Sequence, residues 1–119
     1  MSDEYLIVIR EPEWDPSVLA AEQIEMDLAG HRAFQEAVVA AGQKVLASAP
    51  LRPQSEATRI TPSESGAVFT DGPFGETREV LTGFYTITAD SPAQARDLAA
   101  LVPTAGWLEL YPVLELPGA

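Results

Sequence analysis

Near its start the chain carries a run of apolar, largely β-branched residues, "YLIVI" at 5 to 9, with no polar position inside it. Such a run predicts a central strand covered on both faces, because a half-wet strand would alternate. It stops at "REPEWDP", where Pro12 and Pro16 break the pattern. Asp15 followed by Pro16 reads as an N-cap with proline at the first helical position, so a long helix is predicted from there to about Ala41. Inside it Ile24, Leu28, His31, Phe34 and Val38 recur at steps of three or four, one stripe of a helix lying on a sheet. Gly42 is a natural stop.

"KVLASA" predicts a second strand, and "PLRPQSE" a proline-punctuated loop. "ATRI" and "GAVFT" flank "TPSES", the pattern of a hairpin joining two short strands. "VLTGFYTITA" predicts another strand, with Gly83 marking a bulge or a close backbone approach. "DSPAQARDLAALVP" has a cap, a proline in its first turn, an alanine and leucine stripe and a proline stop, and "WLELYPVLEL" is a last strand. Strand-helix-strand, a hairpin insertion, then strand-helix-strand is an α+β plan, the ferredoxin-like βαβ repeat: an open antiparallel sheet with both helices on one face. The opposite face carries Ile, Val, Phe, Tyr and Trp, so a two-fold homodimer packed sheet against sheet is expected to cover it.

Length and composition narrow this picture. The 119 residues suit one domain over 1–119, and 46% hydrophobic with 21% charged residues is a globular composition. No apolar run approaches the roughly 20 residues of a membrane span and nothing resembles a cleavable leader, so a cytoplasmic protein without a membrane partner is expected. The absence of cysteine excludes thiolate catalysis and cysteine-ligated metals. A net charge of −11 repels phosphate backbones, which argues against nucleic acid as a partner.

The candidate chemistry gathers around "TDGPFGET", residues 70 to 77, and the single histidine. Asp71-Gly72-Pro73 is turn chemistry: the carboxylate accepts a local N–H, the glycine takes a conformation other residues avoid, and the proline stiffens the next residues of the loop. The same rigid carboxylate, brought within hydrogen-bond reach of an imidazole, serves a general base. Phe74 reads as an apolar plug for the loop. His31 is of the one residue type whose ordinary titration falls near neutral pH, and it sits on the apolar stripe, where a buried structural histidine is the plain alternative. Asp27, one turn earlier, is a rival partner at i, i+4. Asp71, Glu76 and Glu109 are of the type that hold magnesium, but acids are abundant throughout. No phosphate loop, dinucleotide fingerprint or nucleophile elbow occurs, so no cofactor is expected.

"VFTDGPFGETREVLTGFYTI", with "GHRAFQEAVVAAGQKVLASAPLRP" upstream and "ATRIT" between, closely resembles the YCII-related family, in the branch named for its Asp-Gly-Pro-Phe motif, from "YLIVI" to "LELYPV". The resemblance implies a dimeric ferredoxin-like α/β barrel with a pocket in each protomer near the dimer interface, and proteins often encoded beside or fused to extracytoplasmic-function sigma factors. It departs at Tyr111, where the branch commonly carries arginine before Pro112, and at Val102 before Pro103, where members with a His-Asp pair carry the acid. Two functions are therefore expected to compete. One is a small-molecule binding or regulatory module, sigma-factor associated. The other is a cofactor-independent acid-base enzyme of lyase, isomerase or dehalogenase type. His31 and Asp71 are the candidate catalytic pair, expected to line one pocket, with Thr70, Gly72, Phe74, Tyr85 and Tyr111 as candidate binding residues.

Overall fold

The computed structural model describes residues 2–13, 17, 19–74 and 78–117. Its elements in chain order are β1 (Asp3–Pro12), α1 (Ala21–Ala40), β2 (Val45–Pro50), a 3-10 turn at Gln54–Glu56, β3 (Thr58–Ser63), β4 (Gly66–Asp71), β5 (Glu79–Ala89), α2 (Pro92–Ala99) and β6 (Trp107–Pro112). The architecture is α+β, with two helices and antiparallel sheets, and the described residues close no barrel. Four strands form one sheet in the order β2-β5-β1-β6, while β3 and β4 pair only with each other.

Alternation along the inner strands decides which face is buried. Tyr5, Ile7 and Ile9 of β1 and Tyr85, Ile87 and Ala89 of β5 point the same way and join Phe34 and Val38 of α1 and Ala95, Leu98 and Ala99 of α2 in one core. Both helices therefore cover one face. Phe34, Ile7, Ile87 and Val38 are its largest fully enclosed side chains, each contributing roughly 1.5–3 kcal/mol by leaving water. The opposite face is mixed rather than uniformly apolar. Leu6, Val8 and Phe84 share it with an ion pair between Arg10 and Glu109 at 3.6 Å.

Helix α1 begins later than the sequence suggests. Ala20 is its extended N-cap, and Gln23 reaches back to accept from the Ala20 N–H at 2.9 Å, half of a capping box. Asp15 and Pro16, the expected start, lie outside the described residues. The helix ends at Ala40, and Gly42 comes after it with φ +78°, the left-handed conformation that favours glycine. In α2 the cap is Ser91, whose Oγ accepts from the Gln94 N–H at 3.1 Å, with Pro92 in the first turn.

The β3–β4 hairpin leaves the body. All its residues are exposed, including Ile60 at 60% and Phe69 at 66%. Its reach helps explain a radius of gyration of 16.6 Å, above the roughly 13–14 Å of a compact chain of this length.

Candidate functional site

The stripe on α1 divides in two. Phe34 and Val38 are enclosed against the sheet, but Ile24, Leu28 and His31 stand over a gap. The sheet explains the difference, because beneath the first half of the helix the inward-facing positions are small, Ser48 on β2 and Gly83 on β5. The β1–β5 register also shifts there: Ile9 faces Gly83 while Arg10 faces Leu81, leaving Thr82 as the extra residue of a bulge. Gly83 has a second constraint, since a Cβ at this position lies 3.0 Å from the Ala49 carbonyl oxygen. The expected close approach occurs at Gly83, and the bulge falls on its neighbour Thr82.

The gap is a cavity of about 300 Å³ between α1 and the sheet, with Ile9, Ile24 and Leu28 as apolar wall and Glu11, Asp27, His31, Gln35, Ser48, Thr82 and Tyr85 as its polar residues. Tyr85 is 5% exposed, and its ring packs against Phe34 with centroids 4.7 Å apart. That packing aims the phenol at α1. The hydroxyl lies 2.8 Å from His31 Nδ1 and takes a second hydrogen bond from Gln35 Nε2 at 3.4 Å. His31 Nε2 faces Asp27 Oδ2 at 3.6 Å. With the imidazole proton on Nε2 toward Asp27, Nδ1 is the acceptor and the tyrosine donates. Carboxylate, imidazole and phenol thus form a line along one wall, an arrangement able to pass or hold a proton and to orient a polar ligand atom.

Of the residues singled out in the sequence, the structure brings His31 and Tyr85 together and adds Asp27 as the nearby acid. Among the described residues, none that lines this cavity comes from the hairpin or its loop. Asp71 ends β4 opposite Thr58, and Thr70 pairs with Arg59. Gly72 is required for a reason other than the expected one. It does not have a positive φ, but a Cβ there would fall 2.1 Å from the Gln54 carbonyl oxygen, so only a hydrogen fits. Its N–H donates to the Ala57 carbonyl at 2.9 Å.

Phe74 lies under the Arg59 guanidinium, 4.8 Å from its ring centroid, and borders a separate hollow with Arg10, Gln54 and Leu81. Tyr111 is on the far face of the sheet, donating to Glu109 at 3.2 Å. There Trp107 Nε1 also donates to Glu109 at 3.3 Å. The Trp107 donor chiefly holds the Glu109 carboxyl below its ordinary value of 4.5, opposed by partial desolvation and aided by Tyr111 and Arg10. Glu76 lies outside the described residues, and among the described residues no three histidine or carboxylate groups are placed to hold a metal ion. Nor is any described helix long and apolar enough to cross a membrane.

The polar cavity residues Glu11, Gln35, Ser48 and Thr82 escaped the sequence analysis. Gln35 had a readable signal, since it is four residues after His31 and shares its face. Ser48 had none, because its relevance depends on which strand lies beneath the helix.

Comparison with known proteins finds similarity over nearly the whole chain. The model of the YCII-related domain matches residues 5–117. An uncharacterised protein of Rhizobium meliloti (strain 1021) is 34% identical, across 96% of this chain and 95% of that one. With the family model covering both helices and all but the first two residues of the six strands, the chain belongs to the YCII-related domain family.

Proposed function

We propose that this protein binds a small, largely apolar molecule in the cavity between α1 and the sheet, with Tyr85 and His31 fixing its polar end. The observation that carries this is the convergence of Tyr85, His31, Gln35 and Asp27 on one wall of a cavity that Ile9, Ile24 and Leu28 also line, a mix of apolar surface and a few polar groups typical of small-molecule sites. Asp71 in this reading belongs to the turn. The resemblance to the Asp-Gly-Pro-Phe branch supports a regulatory role beside a sigma factor and a ferredoxin-like protomer that dimerises through its sheet. A ligand-observed NMR fragment screen tests the binding role. Hits should be lost in Leu28→Trp, which fills the cavity from a half-exposed position, and kept in Asp71→Asn. Hits that bind Leu28→Trp as well as the parent chain reject the cavity as the site.

The line from Asp27 through His31 to Tyr85 favours a second reading, an acid-base enzyme in which His31 moves a proton and Tyr85 holds the substrate oxygen. A bound ketone should then exchange its α-protons for deuterium in heavy water at a rate that His31→Gln abolishes. Exchange equal to buffer in the parent chain leaves the binding role alone.

A further inference from the structure

We infer that the cavity selects a ligand with a protonated amine on an apolar body, and discriminates against carboxylates and phosphates. This rests on the cavity being the binding site and names the chemistry it accepts. No arginine or lysine is among the described residues that line it, whereas Asp27 and Glu11 both do. Its uncommitted capacity leans toward acceptors, against which stand the second Gln35 N–H and the Ser48 hydroxyl as donors. With the imidazole proton on Nε2, the Tyr85 hydroxyl spends its proton on His31 and one lone pair on Gln35, which leaves one lone pair. The Gln35 amide donates, leaving its oxygen as an acceptor, and the Thr82 hydroxyl donates to the Ile9 carbonyl at 3.4 Å. The Nε2 proton of His31 points at Asp27, whose carboxylate is the strongest acceptor on the wall. An ammonium group supplies three donors and a positive charge to match these acceptors. A carboxylate supplies neither, and would meet two acids without a counter-charge.

Benzylamine, benzyl alcohol and benzoate form a matched probe series for NMR titration of the full chain at neutral pH. The expected result is that benzylamine binds about tenfold more tightly than benzyl alcohol, with benzoate weakest, and that resonances of Leu28 and Tyr85 move. Asp27→Asn should bring the amine down to the level of the alcohol, and a variant spectrum that keeps the shift dispersion of the folded parent is the control for folding. Added salt should narrow the gap in the parent chain, an independent check that needs no variant. Benzoate binding best, or alcohol and amine binding equally, overturns the charge selection and leaves the cavity reading standing. If none of the three moves the lining resonances, both fall together.

Discussion

Tyr85 is held from three sides, by Phe34 against its ring and by His31 and Gln35 at its hydroxyl. Tyr85→Phe keeps the ring contact and deletes both hydrogen bonds. His31 is only partly buried and Gln35 is exposed, so water can replace the lost partner, and the expected loss of stability is about 1 kcal/mol in urea unfolding. A loss near that of a core truncation, roughly 3–5 kcal/mol, would mean the phenol is a structural keystone rather than a ligand group. Glu109 supports a second residue-scale prediction. Its folded-state pKa is depressed, so its contribution to stability is fully present above the unfolded value of 4.5 and is lost as pH falls through the folded value. Glu109→Gln should therefore flatten the acid limb of a stability-against-pH curve below about pH 4.5 and leave its shape unchanged at neutral pH. An acid limb identical to that of the parent chain rejects the Trp107–Glu109–Tyr111 cluster as its source.

At the scale of elements, the Asp-Gly-Pro-Phe loop illustrates how far local pattern reaches. The hairpin before it was legible, since "ATRI" and "GAVFT" became β3 and β4 around a short turn. The need for glycine at 72 was legible too, but its cause was not. A tertiary contact with the carbonyl of Gln54, on the 3-10 turn ahead of the hairpin, replaces the expected backbone conformation. Gly72→Ala should thus destabilise by about 1–3 kcal/mol through overpacking, while Asp71→Asn costs less than about 1 kcal/mol, both read by thermal unfolding. The reverse order would restore Asp71 as the residue that organises the loop. Helix α1 shows the same limit. Its stripe was visible as periodicity, yet periodicity cannot tell a position over Ile87 from one over Gly83, because that depends on which strands lie beneath. Hence His31 read equally well as core residue or catalyst, and Asp27, at i, i+4, was the acid that needed no tertiary information to find.

For the molecule as a whole, the exposed apolar surface is distributed. Trp107 and Tyr111 are 46% and 50% exposed on the open face of the sheet, Leu114 is 78% exposed just beyond β6, and Ile60 and Phe69 project from the hairpin. Surfaces of this kind are commonly covered by a partner, and a two-fold homodimer is the simplest cover. Sedimentation at micromolar concentration should return twice the mass of one chain, and a monomer there rejects the dimer. The same distribution separates the two ends of the problem, since the cavity lies on the helix side of the sheet and most of this surface lies elsewhere. Crystals soaked with hits from the fragment screen decide where function resides. Ligand density should appear between α1 and β5, within hydrogen-bond reach of Tyr85 or His31. Density that appears only beside Asp71 and the hairpin loop, with the α1 cavity empty in the same crystals, would place the site in the Asp-Gly-Pro-Phe loop instead.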